Sequence, residues 1–204
     1  DGLVNADDFM ARAKNYRPYP YVEEHEDVRY AVEGFLFPDT YEINGEFDAA
    51  RIMEMMAANF DRRLTKDMRD RAKEMDLSIY ELVTLASLVE KEAYHEEDRP
   101  IIAQIFLKRL RIGMPLQADP TVQYLLDAPK EDLLYRDTEI VSPYNTYQNV
   151  GLPPGPIASP GTASLNAVLH PADTNYLYFV ADRNGNNYYA TNYVDHLDLV
   201  DRVR

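Results

Sequence analysis

The sequence contains no cysteine and no tryptophan, and only 8 of its 204 residues are glycine. The lack of cysteine excludes disulfides, thiol catalysis and thiolate metal sites. Thirteen prolines against eight glycines indicate ordered loops rather than flexible linkers. No apolar run is long enough to span a bilayer. Hydrophobic residues still make up 46% of the chain, which is enough to fill a substantial core.

Basic residues are also scarce. The chain has 21 Lys and Arg against 35 Asp and Glu, and its net charge is −14. Binding to nucleic acid needs clustered Lys and Arg to neutralise phosphates, so we expect no nucleic-acid partner. The same charge argues against direct binding to an anionic membrane surface. Sixteen tyrosines offer flat apolar faces with a hydroxyl tip that suits a sugar, although most tyrosines lie at the edge of a core.

The hydrophobic periodicity predicts helices through most of the chain and a hairpin near its end. Asn184-Gly185 is a strong hairpin signal between the runs 176–181 and 187–191. Helices first and a hairpin late predict the α+β class, as a helical domain with a small antiparallel β-hairpin. The segment 34–43 is aromatic and β-prone but is interrupted by Pro38. The predicted helices cover residues 4–14, 48–64, 66–74, a key helix from residue 78, 100–111, 119–126 and 162–169.

The key helix begins with a capping box, in which Ser78 and Glu81 satisfy exposed amides reciprocally. At its other end Glu90 and Glu92 flank the apolar face, while Lys91 points towards solvent. A carboxylic acid at the edge of an apolar surface loses solvation, which raises its pKa and makes a general acid available near neutral pH. This favours an enzyme with acid-catalysed bond cleavage. Helical geometry alone does not choose between the two glutamates, and both could be ordinary charges at a helix end.

Two polar clusters accompany these acids. Tyr144, Asn145, Thr146 and Tyr147 lie in the long Pro-rich loop 141–161 and could stack on and hydrogen-bond a sugar ring. The alternative is a loop held by its own polar side chains. The second polar cluster consists of Gln117, Asp119 and Thr121. Its alternative is structural, since Asp119-Pro120 could be a helix cap with a proline in the first turn.

Metal and cofactor signals are weak. Glu92 and His95 have the Glu-x-x-His spacing of di-iron bundles, but that site needs a second copy, and no other histidine has a glutamate three residues before it. The sequence has no G-x-G-x-x-G, no phosphate loop and no G-x-S-x-G. We therefore expect no metal and no cofactor.

Six motifs follow one another along the chain. They are EGFLFPDTY (33–41), LASLVEKEA (85–93), RLRIGMPLQADPTVQY (109–124), SPYNTY (142–147), GLPPGPIASPG (151–161) and YLYFVAD (176–182). Together they resemble the endolytic murein transglycosylases of the YceG-like type, also known as MltG, over about residues 31–200. Chance similarity of six ordered motifs is very improbable.

The resemblance implies a bacterial protein at the extracytoplasmic face of the cell membrane, anchored by a single N-terminal transmembrane helix that is followed by a LysM-like subdomain. Because the chain opens at Asp1 without a methionine, we expect residues 1–30 to be a remnant of that LysM-like or linker region and residues 31–204 to be the YceG-like catalytic domain. The implied partners are peptidoglycan glycan strands and proteins of cell-wall synthesis. Membrane contact would come only through the N-terminal helix.

The resemblance also places the catalytic glutamate at Glu92, the second acid of Glu-Lys-Glu. It implies a lytic transglycosylase that cleaves the MurNAc–GlcNAc bond and leaves a 1,6-anhydro-MurNAc end, with one glutamate as general acid and then base. Asn187 stands where a histidine is common in the family, whereas His196 matches a recurrent one. The alternative is a non-catalytic glycan-binding or scaffold module of the cell-wall synthesis machinery, with the same tyrosine-rich groove.

Overall fold

The computed structural model of the protein describes residues 4–43, 48–130 and 133–203. Among these residues the chain forms eight α-helices and one two-stranded antiparallel sheet, which confirms the predicted α+β class. In chain order the elements are α1 (Ala6–Ala13), α2 (Ala49–Arg63), α3 (Lys66–Glu74), α4 (Ile79–Glu92), α5 (Arg99–Arg111), α6 (Asp119–Gln123), α7 (Thr162–Leu169), β1 (Tyr178–Ala181), β2 (Asn187–Ala190) and α8 (Tyr193–Val203).

Helix α4 is the centre of the core. Its predicted capping box is present, because Ser78 Oγ accepts from the Glu81 N–H at 3.1 Å and Glu81 Oε2 accepts from the Ser78 N–H at 2.8 Å. Helices α3, α5, α6 and α7 all pack against α4. Every residue from Leu82 to Val89 is buried. After Val89 the helix leaves the core, and Glu90 and Glu92 lie in this last turn.

The motif at 33–41 packs into this core without forming a strand. Phe35 and Phe37 are buried, but residues 34–43 contain no β-strand, so the β-prone character of the segment was misleading. A strand needs a hydrogen-bonded neighbour, and here the surrounding elements are helices. Gly34 has φ of +87°, and a Cβ there would lie 2.6 Å from Pro156 and 2.8 Å from Val83. A glycine is thus required where this motif meets the Pro-rich loop and α4.

The predicted hairpin is confirmed. Strand β1 pairs antiparallel with β2 from Tyr178 opposite Ala190 to Ala181 opposite Asn187, and Gly185 has φ of +83° in the turn. One face of the hairpin packs on the helices through Phe179. Helix α8, which the sequence patterns did not predict, packs against both strands.

Residues 4–30 belong to the same packed body as the rest. Ala13 and Val22 are buried in the core cluster, and the Val32 N–H donates to the Ala13 carbonyl at 3.3 Å. The predicted boundary at residue 30 therefore has no visible gap in packing and stays a prediction, while residues 1–3 of that segment lie outside the described residues. None of the helices in the described ranges has the length and apolar character needed to cross a membrane.

Candidate active site

Glu90 is held by the N-terminus of α7. Its Oε2 accepts a hydrogen bond from the Gly161 N–H at 3.2 Å and another from Ser164 Oγ at 2.6 Å. Its Oε1 lies 3.6 Å from Nη2 of Arg99, whose Nε donates to Ser164 Oγ. A carboxylate is stabilised at a helix N-terminus, where the amides are otherwise unpaired. These contacts favour a structural role for Glu90.

Glu92, two residues later, is surrounded differently. The residue keeps some exposed surface, yet its pKa is raised from the ordinary 4.5 to about 8, mainly because its carboxyl group is buried. The negative charge of Asp119 contributes to this rise, whereas the positive charge of Arg109 and a hydrogen bond from the Asp119 backbone oppose it. A carboxyl with a pKa of about 8 carries its proton at neutral pH. Glu92 is thus suited to donate a proton.

Arg109 joins the segments that surround Glu92. Its side chain is buried, and it donates from Nε to the Leu177 carbonyl at 2.8 Å and from Nη1 to the Leu116 carbonyl at 2.6 Å. Its guanidinium carbon also lies 5.3 Å from the centre of the Tyr178 ring. Burial lowers the pKa of Arg109, and the charge of Glu92 is among the influences that raise it. A fixed positive charge beside Glu92 stabilises the carboxylate that forms when the proton leaves.

Asp119, Tyr147 and Gln117 form the polar rim of the site. The Tyr147 hydroxyl donates to Asp119 Oδ1, and burial followed by the Asp119 charge raises the pKa of Tyr147. Gln117 is exposed and has φ of +49°, a left-handed conformation that is uncommon for a residue with a side chain. Its backbone N–H donates to the Thr146 carbonyl at 3.1 Å. Unusual backbone geometry of this kind often occurs at functional sites.

The remaining predicted residues are buried and hold the two segments together. Thr121 Oγ1 lies 2.9 Å from Thr146 Oγ1, which also accepts from the Ala118 N–H at 3.0 Å. Asn145 is fully buried, donates from Nδ2 to the Thr138 and Ile140 carbonyls, and accepts from the Tyr147 N–H. Tyr144 is 4% exposed. These geometries favour loop-holding roles for Thr121, Tyr144, Asn145 and Thr146 rather than direct contact with a ligand.

The structure thus brings Glu92, Asp119 and Tyr147 together, and their roles remain predictions. Two residues whose charged groups are desolvated by burial were not singled out as site candidates by the sequence patterns. One is Arg109, whose only signal is that it opens the third motif. The other is Glu33 in the first motif, where burial raises the pKa although Tyr124 Oη donates to Glu33 Oε2 at 2.5 Å.

No metal site accompanies the acids. Across the described part of the chain, no group of three or more His, Asp or Glu residues is placed to hold a metal ion. Asn187 donates from Nδ2 to Oδ2 of the buried Asp98 at 2.9 Å. The Tyr189 hydroxyl donates to the other carboxylate oxygen of Asp98. Asn187 therefore helps to fix the hairpin on the helices.

Comparison with known proteins gives consistent matches. The model of a family described as "YceG-like family" matches residues 3–202. An endolytic murein transglycosylase of Bacillus subtilis (strain 168) is 42% identical over 161 residues, which are 79% of this chain and 45% of that protein. An endolytic murein transglycosylase of Streptococcus pneumoniae serotype 2 (strain D39 / NCTC 7466) is 40% identical over 175 residues, which are 83% of this chain and 32% of that protein.

The fold also matches a solved structure. The crystal structure of a yceG-like protein from Listeria monocytogenes aligns with a TM-score of 0.84 and 36% sequence identity, and the match covers 97% of this chain and 65% of that chain. The chain spans less than half the length of the two curated relatives. What is similar is therefore one part of longer proteins.

Proposed function

Since the chain belongs to the YceG-like family, we propose that it is the catalytic part of an endolytic lytic transglycosylase that cleaves peptidoglycan glycan strands. Two relatives that are 42% and 40% identical carry the name endolytic murein transglycosylase. The observation that carries the proposal is Glu92, a carboxylic acid with a pKa of about 8 at the end of the central helix. The proposed bond is the one between MurNAc and GlcNAc.

The proposed reaction uses Glu92 twice. Protonated Glu92 donates its proton to the glycosidic oxygen as the bond from that oxygen to C1 of MurNAc breaks. The carboxylate of Glu92 then accepts the proton of the 6-hydroxyl of the same sugar, and O6 bonds to C1. The products are a free 4-hydroxyl on GlcNAc, a 1,6-anhydro-MurNAc end and a reprotonated Glu92. Because the attacking hydroxyl is tethered to the sugar, its high effective concentration replaces an activated water.

The charges around Glu92 suit both steps. Asp119 favours the protonated form that begins the reaction, and Arg109 favours the carboxylate that follows proton donation. A carboxyl between these opposing charges can pass between its two forms near neutral pH. A second catalytic carboxylate is not needed, unlike in most hydrolytic glycosidases.

The proposed substrate contacts come from the polar rim. Gln117 and Asp119 are exposed and Tyr147 is half-buried, so these three side chains can reach a sugar. The proposed role of the buried residues is to hold the segments that carry these three side chains, and their burial and hydrogen bonds support it. They are Thr121, Tyr144, Asn145 and Thr146. The proposed place of action is the extracytoplasmic face of the bacterial membrane, with an N-terminal membrane anchor and cell-wall synthesis proteins as partners.

The decisive experiment is digestion of purified glycan strands followed by mass spectrometry. Wild type should yield 1,6-anhydro ends, and Glu92→Gln, which has the same shape but no transferable proton, should lower turnover by at least about a hundredfold. Glu90→Gln, two residues away, is the matched control and should change turnover far less. Reducing ends would indicate hydrolysis instead, and intact strands with wild type would favour a glycan-binding or scaffold module.

The pH dependence gives a second check. Activity should fall as pH rises through about 8, because Glu92 then loses the proton that it must donate. Asp119→Asn removes a negative charge that raises the Glu92 pKa, so the basic limb should move to lower pH. A basic limb that does not move in Asp119→Asn would contradict the electrostatic coupling between the two residues.

A further inference from the structure

A cluster of aromatic rings lies beside the candidate active site. The rings of Tyr178 and His196 are stacked with centres 5.3 Å apart, and Tyr193 lies 5.8 Å from Tyr178 and 6.2 Å from His196. Tyr178 opens β1, while the other two rings come from α8. Tyr193 is 58% exposed, so much of its surface is open to solvent.

Arg109 links this cluster to the surroundings of Glu92, because its guanidinium carbon lies 5.3 Å from the centre of the Tyr178 ring and its charge acts on Glu92. One guanidinium donates both to the Leu116 carbonyl at 2.6 Å and to the Leu177 carbonyl at 2.8 Å. Leu116 precedes Gln117 and Asp119 of the polar rim, and Leu177 precedes Tyr178 of the cluster. One buried side chain therefore holds both the segment that carries the polar rim and the strand that carries Tyr178.

We propose that the aromatic cluster Tyr178, Tyr193 and His196 is an additional saccharide-binding subsite that takes a neutral N-acetylglucosamine unit of the glycan strand. This inference rests on the proposed glycan substrate. Cleavage within a strand requires the strand to be held beyond the scissile bond, and the polar rim alone holds only the sugars nearest Glu92. A tyrosine face gives the apolar face of a sugar a large rigid contact area.

The charge of the whole chain favours a neutral sugar over an anionic group. Helix α8 contributes three aspartates and one arginine to a chain whose net charge is −14. A peptide-free MurNAc carries a lactyl carboxylate, and a substituted MurNAc carries an acidic stem peptide through that same carboxyl. Like charges repel, so N-acetylglucosamine is the unit that the cluster should accept.

Binding of chitotetraose, a neutral oligomer of N-acetylglucosamine, tests this subsite without relying on catalysis. In the Glu92→Gln background, Tyr193→Ala should weaken its Kd about tenfold, which corresponds to roughly 1.4 kcal/mol. Tyr193→Phe should keep the Kd within about twofold, because the ring face remains. Val194→Ala is the control, since it removes exposed apolar surface (69% exposed) from the adjacent position of the same helix.

Kinetics on peptide-free glycan strands completes the test. Tyr193→Ala should raise KM with a much smaller change in kcat, as expected for a contact made equally in the ground and transition states. An unchanged chitotetraose Kd, or a lower melting temperature with normal KM per folded molecule, would overturn the subsite and leave only packing of α8 on the hairpin. Wild type that binds chitotetraose through Tyr193 but cleaves nothing would refute the proposed activity and not the subsite.

Discussion

At the scale of the residue, Glu90 and Glu92 lie two positions apart on α4 and meet opposite surroundings. Glu90 has an arginine, a serine hydroxyl and a helix N-terminus around it. Glu92 has a buried carboxyl group with a like charge nearby. Sequence periodicity places both at the edge of the apolar face, so only these contacts distinguish the proposed proton donor from the proposed structural charge.

The raised pKa of Glu92 has a consequence for stability. The folded pKa is about 8 and the ordinary value 4.5, so the folded state holds the proton more tightly than the unfolded chain. The stabilisation from this proton is complete below the ordinary pKa and is lost as pH rises through about 8. Glutamine does not titrate there. Glu92→Gln should therefore gain stability relative to wild type as pH rises, by an amount on the order of a few kcal/mol.

Urea unfolding of wild type and Glu92→Gln at about pH 5, 7 and 9 measures this difference. Other titrating groups are common to both proteins and cancel. A mutant clearly less stable than wild type at the highest pH would instead indicate an ionised, well-paired glutamate, and Glu92 would then be a poor general acid.

Asn145 gives a different prediction. Its side chain makes three hydrogen bonds in a fully buried position. Asn145→Ala removes the donor to the partly buried carbonyls of Thr138 and Ile140 and the acceptor of the Tyr147 N–H, so it should destabilise the fold by about 1–3 kcal/mol. Gln148→Ala is the matched control, because exposed Gln148 donates to the same Thr138 carbonyl at 3.0 Å and should cost little. Normal stability with lost turnover would restore the sequence-based expectation that Asn145 lines the groove.

At the scale of the element, the start of α7 depends on a side chain from α4. Glu90→Ala removes the acceptor for the Gly161 N–H and the partner of Arg99, and we expect a loss of about 1–3 kcal/mol. Turnover per folded molecule should change far less than in Glu92→Gln. Thermal melting of wild type and Glu90→Ala measures the loss of stability. The turnover rates of Glu90→Ala and Glu92→Gln per folded molecule test the second expectation. Retained stability together with abolished cleavage would exchange the roles of the two glutamates.

At the scale of the whole molecule, residues 4–30 pack into the common core. Tyr21 is the clearest case, since its ring lies 5.9 Å from Phe35 and 6.2 Å from Phe60 and its hydroxyl donates to Asp61 at 2.9 Å. Deleting residues 1–30 should therefore lower the urea midpoint substantially, because it exposes Phe35 and Phe60.

Tyr21→Ala within the full chain should lose roughly 2–4 kcal/mol, whereas Met10→Ala, at a position 43% exposed on α1, should lose little. If the deletion leaves both the midpoint and the slope of unfolding unchanged, the first thirty residues are a separable region. That result would support the boundary predicted from the sequence.

The sequence by itself determined the helices with caps, the hairpin and the family. These depend on local signals, such as the Ser78–Glu81 box and the turn at Asn184-Gly185, which the structure contains. Helix α8 was missed, and segment 34–43 carried a β-prone pattern without forming a strand. A pattern of short range does not show which partner an apolar face will meet.

Only the tertiary structure decided which of the predicted site residues are buried and which are exposed. Thr121, Asn145 and Thr146 have the composition of a binding loop, yet their polar atoms are used by the chain itself. Arg109 gained its importance from two carbonyls that are distant in sequence, those of Leu116 and Leu177. Desolvation and charge–charge energy depend on distances in space, so the pKa of Glu92 is a property of the folded site and not of its neighbours along the chain.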